Sequence, residues 1–184
     1  MKTRFFLISL FIVMLWNLEA QDKYMCKTGH VWFFSHAKIE DIEAHSHQAI
    51  SVLVPSTGKI EIVIKPMSFE FKNATMQEHF NSNYMESSKF PTEKFVGTIT
   101  NLSDINFSKD GTYNANVEGD MTIHNKTQKV KSSGTIEVKN GKILAKSKFN
   151  LNPKDYNIII ESRLSDNIAE VLDINVNMEY ELKK

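Results

Sequence analysis

From Gly29 onward, apolar and polar residues alternate over short runs, which is the period of β-strands that turn one face inward. In Lys59-Ile60-Glu61-Ile62-Val63-Ile64-Lys65 the three isoleucines at 60, 62 and 64 share a face, and Ser68-Phe69-Glu70-Phe71-Lys72 resumes the pattern after Pro66. The same reading predicts strands over residues 31–35, 49–54, 95–102, 112–123, 128–138, 142–151, 157–163 and 171–182, about eight to ten in all. Between them, Ser56-Thr57-Gly58, Lys109-Asp110-Gly111, His124-Asn125-Lys126-Thr127, Lys139-Asn140-Gly141 and Asn152-Pro153-Lys154 read as hairpin turns. Asp-Gly and Asn-Gly tolerate the positive φ that tight hairpins require. Hairpins in series without crossover helices favour an antiparallel meander.

One segment departs from this period. Between Phe71 and Phe90, residues Met76, Phe80 and Tyr84 stand at i, i+4 and i+8, and Asn73 or Thr75 is placed to cap the start. This predicts a short helix over about 75–86 that covers one end of the sheet. Residues 37–47, with Glu40, Asp41 and Glu43, carry a weaker helical pattern with few apolar anchors. A meander of about eight strands closes most economically into a barrel, because closure removes both edges. The expected fold is therefore all-β: a single antiparallel, up-and-down, eight-stranded barrel with one capping helix. Trp32, Phe34, Phe69, Phe71, Phe95, Ile99, Met121, Ile123, Phe149 and Leu151 are candidates for its interior. A barrel of that size holds either a side-chain core or one apolar ligand.

The first twenty residues follow another pattern. Lys2 and Arg4 precede an apolar run from Phe5 to Trp16, interrupted only by Ser9, and Asn17-Leu18-Glu19-Ala20 follows. This is the layout of a secretory signal peptide with cleavage after Ala20, leaving residues 21–184 as one domain. Composition agrees with a single domain of 184 residues. With 22 Lys+Arg against 22 Asp+Glu and the lysines scattered singly, no field gathers nucleic acid or anchors the chain stably at a membrane. Cys26 is the sole cysteine, so no disulfide forms within the chain.

Candidate chemistry is sparse. Six histidines invite a metal reading, and His45 and His47, two apart, would share a strand face, with His36 or His30 as a third ligand. The spacing is common by chance, which leaves His36, His45 and His47 as weak candidates only. His79, beside Phe80 on the helix, reads as a polar rim residue. No nucleophile elbow, phosphate-binding loop, dinucleotide fingerprint or His-Glu-x-x-His helix occurs. No catalytic residue, cofactor or resident metal is expected, and enzyme is the weaker class.

His30-Val-Trp-Phe-Phe-Ser-His-Ala37, Ser68-Phe-Glu-Phe71, the helix from Met76 to Ser87, Lys89-Phe-Pro-Thr-Glu-Lys-Phe-Val-Gly-Thr-Ile99 and the block from Gly119 to Val130 resemble successive blocks of the YceI-like domain. His79-Phe80, Tyr84-Met85 and Phe90-Pro91-x-x-x-Phe95 are the most specific of these. The resemblance covers nearly all of residues 29–180 and implies a lipocalin-like barrel, exported to the periplasm, that carries an isoprenoid quinone, polyprenyl or fatty-acyl lipid. The chain departs from the family pattern in three places. Ser35-His36-Ala37 replaces the usual acidic-x-x-His-Ser opening, Met76 replaces a basic residue, and Lys154-Asp-Tyr-Asn-Ile158 replaces the Arg-x-Asp-Phe-Gly block.

The ligand-binding residues expected for such a tunnel and its mouth are Phe69, Phe71, His79, Phe80, Tyr84, Phe95, Met121 and Phe149, with His79 and Tyr84 nearest the headgroup. An envelope interaction module with a filled core is the alternative, and a His-based metalloprotein is the weakest reading. A second copy of the chain, in a homodimer, is a further candidate partner.

Overall fold

A computed structural model describes residues 22–183, so the expected signal peptide lies outside the described residues. Eight strands form a closed ring: β1 (Tyr24–His36), β2 (Asp41–Val54), β3 (Lys59–Ile64), β5 (Glu93–Ile99), β6 (Gly111–Ile123), β7 (Lys126–Lys139), β8 (Lys142–Leu151) and β9 (Leu172–Leu182). Every pairing is antiparallel, and β1 closes the ring by pairing with both β2 and β9. A two-residue strand, β4 (Glu70–Phe71), adds to the part of β2 that extends beyond β3, opposite Ala44 and His45.

The hairpins obey their turn chemistry. His124-Asn125 and Asn140-Gly141 both have positive φ at the two central residues (49° and 58°, 51° and 75°), the twist that suits a two-residue hairpin. Two other expected hairpins are longer connections. Lys109-Asp110-Gly111 ends a crossing over 100–110 that contains a 3-10 turn at Leu102–Asp104. Asn152-Pro153-Lys154 opens the 152–171 crossing, with 3-10 turns at Pro153–Tyr156 and Ser162–Leu164. The strand expected over 157–163 therefore does not form. Asn157 turns into the left-handed region (φ 59°) and Ile158 donates its N–H back to the Pro153 carbonyl. Residues 41–47 belong to β2 rather than to a helix: they pair with β1, and the small, fully buried Ala44 and Ser46 take inward positions of the strand.

The helix forms where the spacing predicts. Asn73 Oδ1 accepts from the Thr75 and Met76 amides at 2.9 and 3.4 Å, capping α1 (Ala74–His79). One π-helical turn, Phe80–Tyr84, extends it, and the Met85 N–H closes on the Phe80 carbonyl at 2.8 Å. This keeps Met76, Phe80 and Tyr84 on the face turned to the barrel.

The interior is divided along its axis. At the end carrying the Thr57-Gly58 and Asn140-Gly141 turns it is packed solid by Leu53, Ile60, Ile99, Ile105, Val138, Ile143 and Tyr180. There the Tyr180 hydroxyl donates to Ser51 Oγ at 2.7 Å, and Ser51 Oγ donates on to the Glu61 carbonyl at 2.9 Å, satisfying the buried polar atoms in a chain. The opposite end is hollow and roofed by α1, its π-turn and the 152–171 crossing. Smaller clusters fasten this roof: Phe33, Ala44 and Phe69 around Phe80, and Met85, Tyr156 and Ile158 against Met121, Ile123 and Leu151.

Candidate functional site

The hollow end encloses a cavity of about 540 Å³, within the range of small-molecule sites. Its wall is built by strand parity. Alternate residues of β1 (Val31, Phe33, Ser35), β3 (Ile60, Ile62, Ile64), β5 (Glu93, Phe95) and β9 (Leu172, Ile174, Val176, Met178) turn inward. The roof contributes Met76, Phe80, Tyr84 and Met85 from the helical segment, and Ile158, Ile160, Leu164 and Ile168 from the 152–171 crossing. The floor is Ile136 and Tyr180 of the packed end.

Phe69, Phe71, His79, Phe80, Tyr84, Phe95, Met121 and Phe149 all border this cavity. Phe80 stands among Phe33, Phe69 and Phe71, at ring-centroid distances of 5.7, 5.7 and 5.1 Å, so the helix is held to the barrel by aromatic contacts. His79 is exposed and lies at the margin of the cavity, whereas Tyr84 is half-buried, and burial raises its phenol above the usual range. Trp32 and Phe34 are corrections to the expected interior. Val31, Phe33 and Ser35 take the inward positions of β1, so Trp32 and Phe34 point outward. Four consecutive apolar residues, Val31 to Phe34, do not reveal which pair faces in.

Phe95 depends on two glycines. Gly97 and Gly119 oppose each other across β5 and β6, and the Phe95 ring lies over them. A Cβ on Gly97 would meet Phe95 Cζ at 2.3 Å, and one on Gly119 would meet the Val96 carbonyl at 2.4 Å. The glycine pair thus lets a phenyl ring lie flat against the strand backbone and leaves the space beside it empty.

Two acidic residues outside the expected wall line the cavity, exposed Glu40 in the β1–β2 connection and buried Glu93. Glu93, the first residue of β5 and 6% exposed, borders the cavity. Its Oε2 accepts the His124 backbone N–H at 3.0 Å, while Oε1 is buried without a partner. Burial pushes this carboxyl up to about 7, only partly opposed by the His124 N–H. His124 Nε2 bonds Glu86 Oε2 at 2.7 Å, which holds the Glu86 carboxyl below its usual range. The signal was available in the sequence: Glu93 lies two residues before Phe95, hence on the same pleat.

The histidines form a separate group on the outer face. His30 of β1 stacks on Trp32 and His47 at 4.3 and 4.0 Å between centroids, and its Nε2 lies 3.0 Å from His45 Nδ1. Burial, then the neighbouring His47 and His45, hold the His30 imidazole below its usual range. His36 is apart from them, paired with Asp41 at 3.2 Å across the β1–β2 turn. Among the described residues, no group of three His, Cys, Asp or Glu side chains is placed to hold a metal ion. Of the three weak candidates, His36 thus lies apart from His45 and His47.

The fold has solved counterparts. A polyisoprenoid-binding domain from Saccharophagus degradans superposes with a TM-score of 0.74 at 10% identity, over 88% of this chain and 98% of that one. BcnA of Burkholderia cenocepacia gives 0.68 at 15% identity over 82% and 95%, and the Campylobacter jejuni YCEI protein gives 0.57 at 19% over 81% and 89%. At these identities the likeness establishes the barrel alone. A UPF0312 protein of Pseudomonas fluorescens is 32% identical over 83 residues, 45% of this chain and 41% of that protein's length. The model of the YceI-like domain matches residues 23–180, from the strand that closes the ring to the strand that receives it, and the chain belongs to that family.

Proposed function

We propose that this chain is an exported carrier that sequesters one isoprenoid or other long apolar chain in the hollow end of its barrel. The observation that carries this reading is the cavity itself: about 540 Å³, enclosed by aliphatic and aromatic side chains, and roofed by segments held largely by aromatic and aliphatic contacts. Each methylene moved from water against these side chains contributes about 0.8 kcal/mol before the costs of association. Family membership supports an apolar-ligand protein without catalytic machinery. The Saccharophagus relative, described as polyisoprenoid-binding, supports an isoprenoid cargo. Phe69, Phe71, Phe80, Phe95, Met121 and Phe149 act as wall, and His79 and Tyr84 as mouth. The pattern of residues 1–20 supports a periplasmic location.

Native mass spectrometry of protein purified without detergent from a bacterial envelope tests the proposal. A stoichiometric apolar adduct, released by organic extraction, is the expected result. A bare mass that persists after incubation with isoprenoid quinones and fatty-acyl lipids refutes it and favours an envelope interaction module.

A further inference from the structure

Two buried side-chain polar atoms among the described residues lack a partner, Glu93 Oε1 and His124 Nδ1, and of these two residues only Glu93 borders the cavity. An unpaired buried polar atom is costly, and Glu93 Oε1 is covered in the empty protein, so a turn of the carboxyl toward the cavity that its residue borders is what would match it to a ligand's polar atom. The chemistry of the match follows from the other oxygen. Oε2 is occupied as an acceptor by the His124 N–H at 3.0 Å, so when the carboxyl is protonated the proton belongs on Oε1, which becomes a donor in need of an acceptor.

Charge favours the neutral form. No described ion pair reaches Glu93, and Ile64, its register partner on β3, is apolar. The lysines bordering the cavity, Lys94, Lys131 and Lys146, are exposed; Lys94 is directed to Glu61 and Lys131 to Glu118. An anionic head brought beside Glu93 would therefore meet an acid with no described ion-pair partner, since the neighbouring His124 imidazole is turned to Glu86.

Resting on the carrier reading above, we infer that Glu93 is the polar anchor of the cavity, donating a hydrogen bond from its carboxylic acid to a neutral carbonyl oxygen at the head of an apolar chain, a ketone or quinone rather than a phosphate or carboxylate. The head would lie at the roofed end, beside the β6–β7 turn, with the tail directed toward Ile60 and Tyr180. The neutral acid is the form that burial already favours at this position.

The test compares farnesyl methyl ketone with the matching hydrocarbon, in which a methylene replaces the carbonyl, each delivered from cyclodextrin and titrated calorimetrically. The unaltered protein is expected to bind the ketone about tenfold more tightly, the factor set by one well-made hydrogen bond. Glu93→Gln, whose amide still donates, keeps most of that preference, and Glu93→Leu abolishes it while still binding the hydrocarbon. Equal affinity for the two probes in the unaltered protein, or an undiminished preference in Glu93→Leu, overturns the anchor and leaves the carrier reading standing. Failure of the unaltered protein to bind either probe overturns both. If Glu93→Leu does not fold, equal affinity in the unaltered protein still overturns the anchor, and so does a ketone preference that fails to weaken as pH rises through about 7, where the acid loses its proton.

Discussion

Replacing Glu93 by Gln isolates the energetic consequence of placing a carboxyl in the barrel wall. The acid is raised from 4.5 to about 7 by burial. A carboxyl whose value is higher folded than unfolded favours the folded state fully below the lower value, and that contribution is lost as pH rises through the higher one. At about 1.4 kcal/mol per pH unit, the rise corresponds to roughly 3 kcal/mol lost between pH ~4.5 and a little above pH ~7. Domains of this size are stable by only about 5–15 kcal/mol, so the loss is large enough to measure. Glu86 and Asp173 act in the opposite sense, since hydrogen bonds from His124 and Lys148 respectively hold them low, but they are common to both proteins and cancel in the difference. Urea unfolding of the two proteins across that range is the assay. The stability of Glu93→Gln relative to the unaltered protein should rise by about 3 kcal/mol from the acid to the alkaline end. Parallel profiles would show that Glu93 is solvated or paired, and the reasoning would fail.

Three further outcomes are expected. Gly97→Ala should destabilise by about 1–3 kcal/mol in thermal unfolding, since the new Cβ meets the Phe95 ring at 2.3 Å and the Glu118 carbonyl at 2.7 Å, whereas the same change at the unconfined Gly141 has only its positive φ to oppose it. Ser51→Ala strands the buried Tyr180 hydroxyl and should cost about 1–3 kcal/mol, more than Tyr180→Phe, which removes the donor and leaves Ser51 bonded to the Glu61 carbonyl; chemical denaturation of the two variants ranks them. Asn73→Ala removes the helix cap and should cost about 1 kcal/mol, appearing as faster amide exchange in α1 before any change in the ring of strands.

The ring was legible because strand alternation and turn chemistry agreed in Lys59–Ile64 and at Asn140-Gly141. The helix was legible because Met76, Phe80 and Tyr84 repeat at a helical spacing while Glu78 and Ser82, which a strand would place on the same face, are polar. Reading failed where apolar residues carry no parity, as in Val31 to Phe34, and where small residues fill an inward face, as Ala44 and Ser46 do in β2. It also failed at Ile158 to Ile160. Three β-branched residues resemble a strand there, but Pro153 and the left-handed Asn157 turn them into part of the roof. Glu93 was passed over because an acid in an alternating run is ordinarily the outward residue; its shared pleat with Phe95 carried more information than its charge.

The division of the barrel into a solid end and a hollow one has a mechanical consequence. Compression favours whichever state eliminates void, so hydrostatic pressure acts on the cavity side of this molecule and finds little to collapse beneath Tyr180 and Ile143. The first response to pressure should be inward yielding of the roof, with the β-turn end still intact. A guest filling the cavity would stiffen the molecule against that yielding without altering its outline, so occupancy would be felt as incompressibility rather than as a change of shape.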